Sequence, residues 1–194
     1  FRWYLMAAEQ GVVDAQYMVA LCYARGKGTL QNPMEAVRWY RAAAEQGDVA
    51  AQYNLALCYA NGVGTSVNSA EAVNWYTRAA EQGHVNAQYN LAICYANGTG
   101  TPQNAAEAVK WYQKAAEQGN ANAQYNLALS YANGTGIAQN DSEAMQWYLK
   151  AAEQGVANAQ YNLALCYANG TGTDQNLAEA VNWYLKAAEQ GMAN

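Results

Sequence analysis

The chain has 194 residues, a formal net charge of −5 and 52% hydrophobic residues. This balance predicts one packed body, because domains hold about 100 to 200 residues and disordered chains are poorer in apolar residues. No apolar run reaches the ~18 residues that cross a bilayer, and the acidic charge disfavours nucleic acid. We therefore expect neither membrane insertion nor nucleic-acid binding.

A strict period of 36 residues runs through the whole chain. All 16 tyrosines and all 16 glycines follow this period in fixed registers, as do the six tryptophans Trp3, Trp39, Trp75, Trp111, Trp147 and Trp183. Such a period is typical of repeat proteins, in which neighbouring units share one core.

The period predicts a single array over 1–194. In chain order it comprises a partial unit at 1–11, five complete units at 12–47, 48–83, 84–119, 120–155 and 156–191, and the start of another unit at 192–194. Because the first unit holds only the second half of the repeat, we expect the chain to be a segment of a longer protein.

The first half of each unit predicts a helix, which we call helix A. In the second complete unit, residues 51–59 place Leu55, Ala56 and Tyr59 on one face at helical spacing. Gly62 follows Asn61 and supplies the positive φ that ends many helices.

The second half of each unit predicts another helix, which we call helix B. Asn68 is suited to cap its N-terminus, and Glu71 stands where its carboxylate can bond back to the cap amide. Helix B is expected to bury Ala72, Trp75 and Tyr76 and to stop before Gly83. Since no segment shows strand alternation, the predicted fold is all-α, a right-handed superhelical α-solenoid of 36-residue antiparallel helix pairs.

Two stretches of each unit carry a family resemblance. They read Ala-Gln-Tyr-Asn-Leu-Ala-Leu-Cys-Tyr-Ala-Asn-Gly-x-Gly-Thr and Glu-Ala-Val-x-Trp-Tyr-x-Lys-Ala-Ala-Glu-Gln-Gly. Along its whole length the chain resembles the Sel1-like repeat proteins, which are related to the tetratricopeptide repeat proteins. The resemblance implies a scaffold or adaptor that holds other proteins on its concave, helix A side.

Periodicity alone leaves open which stripe of helix A is exposed. The tetratricopeptide resemblance points to the fifth and ninth residues of helix A, with an asparagine at the rim. The predicted partner-binding residues are therefore Tyr17, Tyr53, Tyr89, Tyr125, Tyr161, Leu21, Leu57, Ile93, Leu129, Leu165, Asn61, Asn97, Asn133 and Asn169, with Arg25 as a positive point in the first unit. The alternative is that some of these tyrosines only pack between units.

The remaining chemical candidates have structural interpretations. The four cysteines, Cys22, Cys58, Cys94 and Cys166, occupy one slot of helix A and are expected to be free core thiols rather than a metal or redox ladder. His84 is expected to be exposed and without function. The Gly-x-Gly loops lack the lysine of a phosphate cradle and are expected to be turns.

The sequence thus predicts a non-enzymatic scaffold with a protein or peptide partner, no catalytic residue, no cofactor and no metal. Two alternatives remain open: a structural array that self-associates head to tail, or glycan binding through the tyrosines and asparagines. Unpaired cysteines favour a reducing compartment such as the cytoplasm, whereas a signal peptide before Phe1 would place the chain in a secreted or periplasmic one.

Overall fold

The computed structural model describes residues 1–191, and they form eleven α-helices without a strand. The helices are α1 (Arg2–Glu9), α2 (Val13–Arg25), α3 (Pro33–Glu45), α4 (Val49–Asn61), α5 (Ser69–Glu81), α6 (Val85–Asn97), α7 (Ala105–Glu117), α8 (Ala121–Asn133), α9 (Asp141–Glu153), α10 (Ala157–Asn169) and α11 (Leu177–Glu189). The prediction of an all-helical fold with a 36-residue helix pair is confirmed. The segment 192–194, expected to begin another unit, lies outside the described residues.

Helices A and B alternate along the chain. The even-numbered helices α2 to α10 are helices A, and the odd-numbered helices are helices B. Residues 46–48 connect α3 to α4 and residues 62–68 connect α4 to α5, and the other loops repeat these lengths. Because such short loops allow no crossover, successive helices within each compact part of the chain pack as antiparallel neighbours.

The described chain divides into two compact units, residues 1–103 and the residues from 104 to 191. In the first unit, consecutive helices from α1 to α6 pack against one another, and Leu55 and Leu91 are fully buried. In the second unit, α7 to α11 do the same around Leu127 and Leu163. In the second unit, Leu163 belongs to a buried cluster with Ala144, Ala151 and Ala152 of α9, and such small side chains let helices approach closely.

Asparagine caps define the start of helix B, as predicted. The side chain of Asn68 accepts a hydrogen bond from the Glu71 N–H at 3.1 Å. The reciprocal bond from Glu71 back to the cap amide was wrongly expected, because the Asn68 N–H instead donates to the Tyr59 carbonyl at 2.9 Å. This carbonyl lies in the last turn of helix A and has no intrahelical donor. The bond therefore connects the two helices of one repeat.

Within each compact unit, buried glutamines connect helix A to the neighbouring helices B. In the first unit, Gln52 donates from Nε2 to the Ala44 carbonyl at 3.2 Å, and its Oε1 accepts from Gln82 Nε2 at 2.8 Å. Gln52 is only 4% exposed, yet its amide is bonded at both ends. The pair of bonds therefore fixes the register of α3, α4 and α5.

Candidate partner-binding face

The predicted partner-binding residues share one stripe of helix A in every repeat. They stand at the fifth, ninth and thirteenth residues of each helix, as Tyr53, Leu57 and Asn61 do in α4. The tyrosines and aliphatic residues of the stripe are half-buried, whereas its asparagines and Arg25 are exposed. We call this stripe, taken over α2, α4, α6, α8 and α10, the A-helix face.

In the second unit this face holds a depression of about 300 Å³ between α8 and α10. Leu129 and Asn133 line it from α8, Leu165 and Asn169 line it from α10, and Tyr148 of α9 is a further wall. The depression therefore brings together four residues that the sequence placed on the binding stripe. A second depression of about 200 Å³ lies beside it and shares Leu129 and Asn133.

Other lining residues were missed by the sequence analysis. Asn162 and Cys166 contribute to the larger depression, and Asn126 and Ser130 to the smaller one. The asparagines stand at the sixth residue of helix A and recur with the same period, which was a usable signal. Periodicity alone does not show which of two neighbouring stripes of helix A is accessible, because both recur every 36 residues.

The tyrosines of the stripe pack against helix B of their own repeat. The ring of Tyr53 lies 6.1 Å from that of Tyr76 on helix B, and the same pairing recurs between Tyr125 and Tyr148 at 6.1 Å. The hydroxyl of Tyr53 is also hydrogen-bonded to Asn90 on the next helix A. Each ring thus serves packing while keeping part of its surface accessible.

Burial keeps the tyrosines of both helices protonated. It raises the pKa of Tyr53 and Tyr125 from the usual 10.0, and it raises the pKa of Tyr76 and Tyr148 to about 12. The hydroxyls therefore remain neutral donors and acceptors across the physiological range. The A-helix face can offer neutral hydrogen bonds and apolar contacts, and it has no group poised for proton transfer in these depressions.

Arg25 provides the one positive charge among the predicted face residues. It is exposed at the end of α2, near the buried hydroxyl of Tyr40. Burial is the main reason that the pKa of Tyr40 is raised, Tyr17 adds to the rise, and the charge of Arg25 opposes it. Arg25 thus distinguishes the first repeat from those with asparagine at this position.

His84 is not the exposed residue expected from the sequence. It is half-buried, its Nδ1 accepts a hydrogen bond from the Ala87 N–H at 3.2 Å, and its ring stacks on Tyr53 at 4.4 Å. His84 therefore caps the N-terminus of α6 beside the A-helix face. Asp48 and Asn120 do the same for α4 and α8, whereas the valines at this position of α2 and α10 make no side-chain cap.

The capping role of His84 predicts a pH-dependent stability. Burial lowers the pKa of His84 below 6.5, so the unfolded chain takes up the proton first. The stabilisation by the neutral His84 cap is thus present above about pH 6.5 and is lost as the pH falls through the lowered pKa of the folded state. We expect His84→Asn, which keeps a cap acceptor, to lose less stability than the wild type between pH 7.5 and pH 5, by at most the ~1 kcal/mol that an N-cap contributes.

Urea melts at the two pH values measure this difference. His84 is the only histidine, so no other imidazole contributes to the change. The prediction fails if His84→Asn and the wild type lose the same stability between pH 7.5 and pH 5.

The cysteines are free thiols, as predicted. Burial raises the pKa of Cys58, Cys94 and Cys166, which keeps these sulfurs protonated and poor as nucleophiles or metal ligands. Over residues 1–191, no three histidine, cysteine or acidic side chains come together as a metal site would need.

Comparison with known proteins decides the family. The family model of the Sel1 repeat matches residues 1–12, 13–48, 49–84, 85–120, 121–156 and 157–192. The chain belongs to the Sel1 repeat family. The five complete Sel1 repeats have the 36-residue length expected from the tryptophan spacing, and each begins one residue later than the predicted unit.

Solved Sel1 repeat structures agree with this assignment. A protective antigen of uropathogenic Escherichia coli strains that displays this fold is 39% identical over 98% of the chain, with a TM-score of 0.94. The chain spans only 41% of that protein. A Sel1 repeat protein from Oxalobacter formigenes is 39% identical over 95% of the chain and 76% of its own length, with a TM-score of 0.89. No protein with a curated description matches.

Sel1 repeat proteins generally act as non-enzymatic scaffolds that bind protein partners. Within the described part of this chain, every helix is too short or too polar to span a membrane.

Proposed function

We propose that this chain is a non-enzymatic scaffold that binds an extended segment or a helix of a partner protein along the A-helix face. One observation carries the proposal: Leu129 and Asn133 of one repeat meet Leu165 and Asn169 of the next around one open depression. Apolar contact beside amide donors and acceptors is the chemistry that recognises a peptide, whose backbone is polar and whose side chains are often apolar.

The charge and reactivity of the face support a protein partner over other classes. The residues lining the two depressions carry no formal charge, whereas nucleic-acid sites are rich in lysine and arginine. The buried thiols are protonated, and His84 is engaged as a helix cap. These features favour recognition by contact rather than catalysis.

Asparagine variants test the A-helix face without disturbing its packing. We expect Asn133→Ala combined with Asn169→Ala to weaken peptide binding at least tenfold, because both amides are exposed and line the depression. Twelve-residue peptides would be selected by display on the wild-type chain. Calorimetry would then measure their affinity for the wild type and for the double variant. The tyrosines are less suitable targets, because their rings also pack against tyrosines of helix B.

The matched control is Asn122→Ala combined with Asn158→Ala. These asparagines are also exposed and lie on the same helices, α8 and α10, but outside the depressions. The control should bind as the wild type does. Equal losses in both double variants would show that the peptides do not use the A-helix face.

A second candidate function is self-association of the array. Helix α11 exposes Leu177, Val181 and Leu185 by 64%, 56% and 58%, and Trp3 of α1 is 81% exposed. If these surfaces meet between copies, the weight-average mass should rise with concentration, since head-to-tail contacts do not close. Sedimentation equilibrium of the wild type and of Val181→Lys with Leu185→Lys measures this. A mass that stays monomeric up to the highest soluble concentration would rule the candidate out.

A further inference from the structure

A cationic side chain covers the last tyrosine of helix A in one repeat. Arg41 of α3 donates from Nη2 to the hydroxyl of Tyr59 on α4, and its guanidinium carbon lies 5.9 Å from the centre of the tyrosine ring. The guanidinium thus makes a hydrogen bond and a cation–π contact with the same residue. The pair shows how an arginine side chain can pack on the tyrosine at this position of helix A.

The preceding repeat lacks that side chain and contains a cavity. Leu5 stands 36 residues before Arg41, and Tyr23 stands 36 residues before Tyr59. Leu5, Tyr23 and Trp39 are among the residues that line an open cavity of about 440 Å³, which we call the first-repeat cavity. A leucine has no donor for the tyrosine hydroxyl and is shorter than an arginine. The ring of Phe1 packs edge to face against Tyr23 at a centroid distance of 5.1 Å, and the cavity lies beside this pair.

The charge around the first-repeat cavity suits a cation. Its lining includes the carboxylates of Glu9 and Glu35 and the guanidinium of Arg38, which leaves one net negative charge. Arg38 Nη1 lies 3.4 Å from Glu35 Oε2, which makes an ion pair. Glu9 has no ion pair within residues 1–191. The indole N–H of Trp39, also in the lining, is buried without an acceptor in the described chain. A partner with a cationic side chain and a free backbone carbonyl would supply a countercharge for Glu9 and an acceptor for the Trp39 N–H.

We propose that the first-repeat cavity binds an arginine side chain of a protein partner, which takes the place that Arg41 occupies in the next repeat. The guanidinium bonds to the Tyr23 hydroxyl and lies beside the Glu9 carboxylate. A planar, multiply donating cation fits this set better than the compact ammonium of lysine. The site is separate from the A-helix face, so it stands even if no peptide binds there.

The probe for this site is N-acetyl-L-arginine N-methylamide, which carries the side chain within a neutral peptide-like backbone. Its titration would be followed by NMR at the indole N–H of Trp39, assigned by its loss in Trp39→Phe. We expect a saturable shift that weakens about tenfold in Tyr23→Phe and is absent in Leu5→Arg, where the new side chain fills the cavity. Leu5→Met, which adds no charge, is the matched control and should retain binding.

Several results would overturn the proposal. The uncharged analogue N-acetyl-L-citrulline N-methylamide must bind at least tenfold more weakly, and equal binding would show that charge is not recognised. Tighter binding of free L-arginine than of the probe would exclude a partner side chain as the natural occupant. If Leu5→Arg is not helical by circular dichroism, Tyr23→Phe decides alone, and unchanged affinity in that variant contradicts the assignment.

Discussion

Gly136→Ala is expected to lower the free energy of unfolding by about 3 kcal/mol. A Cβ built on Gly136 would lie 2.3 Å from the carbonyl oxygen of Ala105, where real side chains never come. Gly136 also has a φ of +75°, which an alanine adopts only at a cost. The loop between α8 and α9 therefore has to move away from the start of α7, and the packing of the second unit loosens.

The neighbouring glycine separates these two causes. Gly134 has a φ of +65°, but its nearest neighbour would lie 3.5 Å from the added Cβ, which is an ordinary contact. Gly134→Ala should therefore cost only about 1 kcal/mol, the cost of the backbone conformation. Urea unfolding followed by circular dichroism compares the two variants. Equal losses would mean that the close approach to Ala105 contributes nothing.

Gln124→Glu is expected to destabilise the second unit by about 3 kcal/mol at pH 7 with almost no change of shape. Gln124 is 5% exposed, donates from Nε2 to the Ala116 carbonyl at 3.1 Å, and accepts from Gln154 Nε2 at 2.7 Å. A carboxylate cannot donate to Ala116, and burial without a cationic partner disfavours its charge. The bond between α7 and α8 is replaced by repulsion between two oxygens.

Low pH should restore much of this loss. Burial raises the folded-state pKa of such a glutamate above its unfolded value near 4.3, so the protonated variant donates to Ala116 and is stable below that value. The stability is lost as the pH rises through the raised pKa. Gln146→Glu on the exposed surface of α9 is the control and should change stability by less than about 0.5 kcal/mol. The same loss at pH 4 and pH 7 in Gln124→Glu would contradict a charge effect.

Local signals in the sequence were sufficient for the helices. Asn68 as a cap and Gly62 as the left-handed residue after helix A mark boundaries through short-range bonds, and both are found as predicted. The error at Glu71 has a different origin. A carboxylate can bond back to the cap amide only if no better acceptor is near, and the Tyr59 carbonyl comes from another helix.

The candidate site was predictable only in part. Leu129, Asn133, Leu165 and Asn169 were placed on one stripe, and they do line one depression. That Tyr148 lies beside them could not be read from the sequence, because its helix B pattern marks it only as a core residue. His84 was misplaced for a similar reason, since stacking on Tyr53 needs two helices to meet.

The sequence by itself determined the repeat length, the helix pairs and the family, because these depend on periodic spacing and on caps within a few residues. Only the tertiary structure decided which stripes form depressions, which amides connect helices, and why the cavity beside Leu5 is open. Those outcomes depend on residues of different helices, which in the bond between Gln82 and Gln52 are 30 positions apart. The repeated motif determines the two helices of each repeat. The packing of a repeat on its neighbour determines which side chains stay accessible to a partner.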